Sequence, residues 1–341
     1  MPVGEPQLVL PMTDLLTVDA APTQLPSLVA DEDRHSLGAW FHAYWNMEVA
    51  GGPETTAAAK RRDLQRFLDF IGRNVRTDHI DDWTKSVTRA YVYWLDTSGN
   101  DGRPFAPTSI NRFLATLRHC ARFIHRIRPF LAGNPFDGVP DLEVDDPEPQ
   151  GLDSIQWMRI RSAAEQLCKL KTRRQQRPLR NYAILLCLYG TGLRISELLK
   201  LDYPDHYRDD FFWDIKRKGK KRTRKLYVPK ECRETLEEYI TLERGTIGGP
   251  LFVTKSGQRI ARQHVDRFLK ELAAFANAKL PADEHINLHA HALRHTRLRK
   301  LAHEKGVHFA HQQSGNIGWQ HIWRYVQPTE QEKAETAEES F

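Results

Sequence analysis

The sequence predicts a mainly α-helical protein with a small antiparallel sheet, arranged as two domains. Apolar residues recur at helical spacing through residues 31–128 and again through much of residues 152–303. Between these regions, residues 134–151 combine several prolines with an acidic run. Proline interrupts helices and like charges repel, so this composition is typical of a linker. Two short apolar runs that flank a basic turn, residues 211–215 and 226–228, predict the sheet.

The first region predicts a small all-helical domain over residues 31–133. Four groups of apolar residues recur at the spacing of one helix face. The groups are Trp40, Phe41, Tyr44 and Trp45; Leu64, Phe67, Leu68 and Ile71; Val87, Ala90, Tyr91 and Trp94; and Ile110, Phe113, Leu114, Leu117, Ala121, Ile124 and Ile127. Residues 1–30 are rich in Pro and Leu without clear periodicity, which predicts a flexible N-terminal arm.

The second region predicts a domain over residues 152–328 that is mostly helix. Helical patterns cover residues 155–167, 179–189, 231–242, 263–275 and 291–303, and a Gly-Thr-Gly turn at 190–192 precedes a short helix that ends near Leu201. Residues 329–341 carry five Glu and one Lys, and we interpret them as an acidic C-terminal tail.

Composition favours an anionic partner and a reducing compartment. The chain has 50 Lys and Arg against 44 Asp and Glu, and a basic surplus is most simply explained by nucleic acid. Its four cysteines are scattered, which fits the cytoplasm better than a disulfide framework. We find no signal peptide pattern and no apolar stretch long enough for a bilayer, so we expect a cytoplasmic, nucleoid-associated protein without a membrane partner.

Three separated segments carry the residues that suit phosphate chemistry. The first is Gly190-Thr-Gly-Leu-Arg194-Ile-Ser-Glu197, and the second is His291-Ala-Leu-Arg294-His295-Thr296. The third is Ser314-Gly-Asn316, followed nine residues later by Tyr325. A basic hairpin, residues 216–229, lies between the first two segments. P-loop, GxGxxG and HExxH motifs are absent, so we expect no nucleotide, dinucleotide or zinc cofactor.

This order of motifs resembles the tyrosine recombinase (phage-type integrase) family, including its Xer and integron-type members. The family's catalytic domain carries TGLRxxEL, a hairpin lysine near GKGxK, HxLRHT, and LGH with a tyrosine nine residues later. The resemblance covers residues 150–327 and implies a helical core-binding domain followed by a mixed α/β catalytic domain. It also implies site-specific recombination of double-stranded DNA through a 3′-phosphotyrosyl intermediate, carried out by a homotetramer on paired sites.

Residue chemistry agrees with this resemblance, because metal-free phosphodiester cleavage needs a nucleophile, cationic donors and a proton source. Tyr325 is the expected nucleophile. Arg194 and Arg294 are the expected phosphate clamps, since guanidinium is always charged and matches two phosphate oxygens. His291 is the expected proton acceptor, and by resemblance it either accepts the proton or binds only the phosphate. Glu197 is assigned to orienting the site.

The remaining catalytic positions follow from the resemblance. Lys218 is the expected general acid for the leaving 5′ oxygen because it precedes Gly219 as the family's lysine precedes its glycine. Asn316 stands where the family has His or Trp; it can donate an N–H to phosphate but carries no charge. A shifted register places the indole of Trp319 there instead. His289, His291 and His295 lack a nearby acidic or Cys partner, and we expect no metal site there.

Other basic residues are expected to hold the DNA backbone. They are Lys60, Arg61 and Arg62 in the second predicted helix; Arg118, Arg122 and Arg126 along one side of the fourth; and Lys216, Lys220 and Lys221 in the hairpin. Three other functions stay open: a DNA-binding factor derived from a recombinase with weakened catalysis, a type IB topoisomerase-like strand transferase, and a plain helical nucleic-acid binder. The sequence does not distinguish integration, excision, transposition and dimer resolution.

Overall fold

The chain folds into two compact units that divide between Asp145 and Asp146. The computed structural model describes residues 28–144, 151–169, 177–217, 222–315 and 336–338. Each unit has its own apolar core, and the two cores share no residue. The mainly helical fold with antiparallel sheets that the sequence predicts is confirmed.

Four α-helices lie in the described part of the first unit, residues 28–144. They are α1 (Leu37–Tyr44), α2 (Glu54–Asn74), α3 (Lys85–Thr97) and α4 (Pro107–Ile127). Their starts follow local chemistry: the Ser36 hydroxyl accepts the Ala39 N–H at 3.1 Å, and Pro107 occupies the first turn of α4, where its missing N–H costs nothing. The predicted apolar groups supply most of the buried residues of α1, α2 and α4, whereas in α3 only Tyr91 of the predicted group is buried, beside Thr88 and Leu95.

Aromatic side chains dominate the core of the first unit. The Phe67 ring lies 4.9 Å from the ring centroids of both Trp83 and Tyr91, and all three side chains are buried. Such tilted and edge-on ring pairs add to the free energy gained by burying their area. The indole N–H of Trp83 donates to the Thr88 hydroxyl at 3.0 Å, which satisfies a polar group inside this core.

The segment after α4 belongs to the first unit, although its composition predicts a linker from residue 134. Phe136 and Val139 are buried in the aromatic core. The Asn111 side chain exchanges two hydrogen bonds of 2.8 Å with the Leu142 backbone. A linker assigned from proline and acidic content alone therefore starts too early, because prolines also occur where irregular backbone is pinned by side chains.

Seven α-helices and five short strands form the described part of the second unit. The helices are α5 (Ser154–Lys169), α6 (Pro178–Thr191), α7 (Ile195–Leu198), α8 (Lys230–Tyr239), α9 (Arg262–Asn277), α10 (Ala290–Lys305) and α11 (Val307–Ser314). The strands are β1 (Asp202–Tyr203), β2 (Tyr207–Arg208), β3 (Phe211–Lys216), β4 (Arg222–Tyr227) and β5 (Gly249–Pro250).

The strands pair into two antiparallel sheets rather than the single predicted one. In the three-stranded sheet β3 lies between β2 and β4, with Phe212 opposite Leu226 and Ile215 opposite Thr223. The second sheet pairs β1 with β5. Strands β1, β2 and β5 have two residues each, too few to give an alternating pattern in sequence.

The core of the second unit forms around α6. Residues 183–188 of this helix are all buried, so it is apolar on every side rather than amphipathic. Trp157 of α5 stacks on Tyr189 with ring centroids 3.7 Å apart. Among the helices of the described ranges, none combines the length and apolar character that a membrane span requires.

Candidate active site

The turn between α6 and α7 presents Arg194. Helix α6 ends on Gly192, which adopts a left-handed conformation with φ 65°, and a Cβ there would lie 3.3 Å from the Arg297 side chain. Glycine is therefore favoured by both backbone and space. Arg194 then caps α7 with its side chain partly exposed.

Glu197 holds Arg194 at two points. Its Oε2 atom accepts the Arg194 backbone N–H at 3.0 Å, and its Oε1 atom accepts Nη1 of the Arg194 guanidinium at 2.9 Å. Glu197 is only 4% exposed, so its carboxylate needs such partners. The Glu197 carboxylate thus holds both the backbone and the guanidinium of Arg194.

Arg217 is a further member of the site, and the sequence reasoning missed it. Its Nη1 donates to Glu197 Oε2 at 2.8 Å, and its Nε donates to the Thr223 hydroxyl of β4 at 2.9 Å. Burial holds the pKa of Arg217 below its usual range, while the Glu197 carboxylate opposes that shift. The local sequence does not single Arg217 out, because it follows the last residue of β3 and lies within a run of basic residues.

Arg294 joins two distant segments. It lies on α10 and is 1% exposed. Its Nη1 donates to the Gly192 carbonyl at 2.5 Å and its Nη2 donates to the Ser314 carbonyl at 2.6 Å. Arg294 thus fixes the turn that presents Arg194 next to the C-terminal end of α11.

Three histidines cluster at the start of α10. His289 caps the helix, its Nδ1 accepting the Ala292 N–H at 3.1 Å. His291 is exposed, and its Nε2 lies 2.8 Å from Nε2 of His295, so the pair shares one hydrogen bond. Desolvation, followed by the positive charges of Arg294 and Arg194, lowers the pKa of His291 from its usual 6.5. Its neutral form, which can accept a proton, is therefore favoured at pH 7.

Several expected site residues lie outside the described residues. They are Lys218, Lys220 and Lys221 of the hairpin, and Asn316, Trp319 and Tyr325 of the C-terminal segment. The described residues next to them in sequence are Arg217, Arg222 and Gly315, and Gly315 ends α11 in a left-handed conformation with φ 63°. Lys216, another expected DNA contact, is exposed at the end of β3.

The basic residues of the first unit differ in their surroundings. Lys60 donates to the hydroxyl of buried Tyr44 at 3.1 Å, and the Arg61 guanidinium lies 4.5 Å from the Trp45 ring centroid. Arg118 donates to the Asp141 carboxylate at 2.8 Å. Exposed side chains remain at the other expected positions, namely Arg62, Arg122 and Arg126.

One cluster in the described residues has the donor types of a metal site, and it lies in the first unit. Ligand atoms of His35, His79 and Asp81 lie within 4.8 Å of one another. The Arg128 guanidinium already binds both carboxylate oxygens of Asp81, at 2.9 and 2.7 Å. A metal ion at this cluster would have to displace the Arg128 guanidinium or lie beside its positive charge. The Asp81 carboxylate therefore suits its ion pair with Arg128 better than a bound metal.

Known proteins resemble this chain in sequence. The sequence profile of the phage integrase family matches residues 156–332. Tyrosine recombinase XerD of Bradyrhizobium diazoefficiens is 31% identical over 275 residues, which cover 75% of this chain and 80% of that protein. Tyrosine recombinase XerC of Neisseria gonorrhoeae is 25% identical over 261 residues, covering 75% of this chain and 81% of that protein.

Solved structures share the fold. A lambda integrase (residues 75–356) dimer bound to a COC′ core site aligns with a TM-score of 0.67 at 14% identity, over 86% of this chain and 95% of that chain. The Tn1549 transposon integrase (residues 82–397) in complex with circular intermediate DNA aligns with a TM-score of 0.68 at 18% identity. The alignment covers 89% of this chain and 99% of that chain. The family profile and the tyrosine recombinase relatives show that this chain belongs to the phage integrase family of tyrosine recombinases.

Proposed function

We propose that this protein is a site-specific DNA recombinase that cleaves and rejoins DNA strands through a covalent bond between Tyr325 and a 3′ phosphate. One observation carries the proposal. Arg294 bonds the carbonyl of Gly192, two residues before Arg194, although the bonded residues are 102 positions apart. Both motif arginines therefore belong to one site, as binding of a single phosphate requires.

We assign contact with the non-bridging oxygens of the scissile phosphate to Arg194, and electrostatic support of that contact to Arg294. Arg194 is held by Glu197 and has a partly exposed side chain, so it is suited to direct contact. Charge on these oxygens increases as the pentavalent transition state forms, and fixed cations stabilise it more than the ground state. Buried Arg294 contributes its positive charge while its two carbonyl bonds keep the site rigid.

Proton transfer is assigned to side chains because the attacking and leaving oxygens both need it. The Tyr325 oxygen bonds to phosphorus while neutral His291 accepts its proton. The bond from phosphorus to the 5′ oxygen breaks, and Lys218 supplies the proton that this oxygen takes. Attack by a 5′ hydroxyl reverses the sequence and restores free Tyr325. Energy of the phosphodiester stays in the phosphotyrosyl bond, so the scheme uses no nucleotide cofactor.

The two units are proposed to act together on a duplex. Residues 31–133 serve as the core-binding domain and residues 152–328 as the catalytic domain. Strand exchange between two duplexes requires two sites and hence four protomers. The relatives named XerD and XerC and the DNA-bound integrases of the same fold support DNA as the partner. We propose integration, excision or resolution of a mobile element as the range of tasks, in a nucleoid-associated cytoplasmic protein.

Covalent trapping tests this proposal. The protein is incubated with a nicked suicide duplex from its own genetic neighbourhood, in which the freed 5′ end diffuses away. We expect a protein–DNA adduct that survives SDS in the wild type, is absent in Tyr325→Phe, and persists in Tyr93→Phe, a control at an exposed tyrosine. Salt-sensitive DNA binding without any adduct would instead support a recombinase-derived binding factor.

Joining of the cleaved strand to a partner duplex distinguishes a recombinase from a topoisomerase-like transferase, which reseals the same strand. We expect wild-type protein with two labelled duplexes to give exchanged products. Adduct formation that reseals only the original strand would indicate a topoisomerase-like transferase and contradict the recombinase assignment.

A further inference from the structure

Arg217 is buried at the base of the hairpin, beside Glu197. Its side chain is 2% exposed, and that of Glu197 is 4% exposed. A buried guanidinium is costly unless it is paired, and its surroundings indicate what it holds. The Nε–H bonds Thr223 across the hairpin, and Nη1 bonds Oε2 of Glu197 at 2.8 Å.

The bonded oxygen also binds the backbone of Arg194. Glu197 Oε2 accepts both the Arg194 N–H at 3.0 Å and Arg217 Nη1, while Oε1 accepts the Arg194 guanidinium. The carboxylate thus lies between two cations. If Arg217 were removed, the Glu197 charge would bind Arg194 more strongly and would compete with phosphate for that guanidinium.

Arg217 also contacts the end of α11. Its Nη2 lies 3.5 Å from the Gln313 carbonyl oxygen, next to the Ser314 carbonyl that Arg294 binds. A Cβ on Gly315 would lie 3.0 Å from the Arg217 Nε, so the close approach depends on glycine. Arg217 and Arg294 therefore bind consecutive carbonyls of one helix terminus, where positive charge is favourable.

We propose that Arg217 is a positioning residue for the phosphate-binding site. It balances and holds Glu197, so that Glu197 orients Arg194 toward the scissile phosphate without neutralising it. The proposal rests on the proposed function, since it assigns Arg217 to the same DNA-cleavage reaction. It predicts that loss of Arg217 reduces the advantage in cleavage rate that a charged scissile phosphate has over a neutral one. A general loss of stability would slow cleavage of both equally.

Two suicide substrates separate these effects. One has an ordinary scissile phosphate, and the other has a neutral methylphosphonate in which one charged oxygen is replaced by methyl. For each protein the ratio of the two adduct-forming rates reports how much the site gains from phosphate charge. Arg194→Ala serves as the benchmark and is expected to lower this ratio most.

The control is Arg244→Met. Arg244 is a partly buried arginine whose guanidinium donates to carbonyls of the loop at residues 245–251. We expect Arg217→Met to lower the phosphate rate about tenfold or more and the methylphosphonate rate by less than threefold. Arg217→Lys, which keeps a charge facing Glu197, should recover part of the ratio. Arg244→Met should lower the thermal midpoint and leave the ratio unchanged.

The outcomes distinguish the two proposals. Equal losses of Arg217→Met on both substrates, or no loss on phosphate, would overturn the positioning role. If Arg217→Met fails to fold, Arg217→Lys provides the test. The positioning role would be overturned if this variant forms adducts more slowly on the phosphate substrate but keeps the wild-type ratio of phosphate to methylphosphonate rates. Failure of the wild type to form any adduct would overturn the proposed function, and this role with it.

Discussion

His291 titrates nearest to neutral pH of the described residues that we assign to catalysis. Imidazole is the side chain that ordinarily changes its charge between pH 5 and 8. Desolvation by neighbouring residues and the positive charges of Arg294 and Arg194 favour its neutral form and lower the pKa of His291 from its usual 6.5. A neutral imidazole can accept the tyrosine proton, whereas a protonated one cannot.

The rate of adduct formation should therefore rise with pH and reach a plateau before neutrality. The midpoint is expected below 6.5 because the shift of the His291 pKa is downward. His291→Gln should lower the plateau rate about 100-fold, as expected for loss of a general base. It should also abolish the acidic limb, which is the rise of the rate with pH below the plateau. Single-turnover rates measured between pH 5 and 8 give both quantities.

His303 provides the control on the same helix. It is exposed near the end of α10, so His303→Gln should keep both the plateau and the limb. A midpoint above 6.5, or a limb that persists unchanged in His291→Gln, would mean that another group accepts the proton.

At the residue scale the sequence identifies groups better than it identifies their contacts. Arg194, Glu197 and Arg294 are recognisable because their motifs are local and specific. Arg217 is not, because it lies among seven other Lys and Arg residues of the basic run from Lys216 to Lys225, and only tertiary contact with Glu197 separates it from a solvated charge. The buried state of Arg294 also depends on a carbonyl of α11, which no local pattern reveals.

Helix α4 shows the same distinction at the scale of an element. Helical spacing places Arg118, Arg122 and Arg126 on one side, and all three look equivalent in sequence. In the structure the Arg118 side chain is 20% exposed and binds Asp141, which secures the segment after α4. Arg122 is exposed, and Arg126 lies 3.5 Å from Glu48 with 72% of its side chain exposed.

DNA affinity should therefore depend on Arg122 and not on Arg118. Each phosphate contact contributes about 0.9 to the slope of log affinity against log salt, because its counterion is released. Arg122→Gln should weaken binding and reduce that slope by about 0.9. Arg118→Gln should leave the slope unchanged and lower the unfolding free energy by up to about 1 kcal/mol, since the Asp141 side chain is 55% exposed.

Fluorescence anisotropy with a labelled duplex at several salt concentrations measures these slopes. An Arg122→Gln slope equal to that of the wild type would contradict a DNA contact at this residue. A reduced slope for Arg118→Gln would mean that its ion pair with Asp141 opens on DNA.

Element boundaries are predictable where a pattern is long and unpredictable where it is short. The helices of 14 or 16 residues in the second unit, α5, α6, α9 and α10, begin within one residue and end within two residues of the predicted limits. Two-residue strands and the packed segment at 134–142 were missed or misassigned. Their structure depends on partners distant in sequence, such as Pro250 opposite Asp202.

At the scale of the whole molecule, the site consists of parts that are far apart in the chain. The turn at 192–194, the hairpin base at Arg217, the start of α10 and the end of α11 meet only when the second unit folds. Order and spacing of motifs could predict this meeting because they match a family pattern. The contacts that hold the parts together required the folded structure.

The central claim is that Tyr325 becomes covalently bound to DNA, and the attachment site tests it most directly. Wild-type protein trapped on the suicide duplex is digested with nuclease and trypsin, and the peptide that carries the nucleotide is identified by mass spectrometry. Trypsin cuts after Arg324 and Lys333, which isolates residues 325–333 with one tyrosine. We predict that the nucleotide is found on Tyr325 in this peptide. A nucleotide on any other residue, or an unmodified 325–333 peptide from the purified adduct, would contradict the mechanism proposed for this protein.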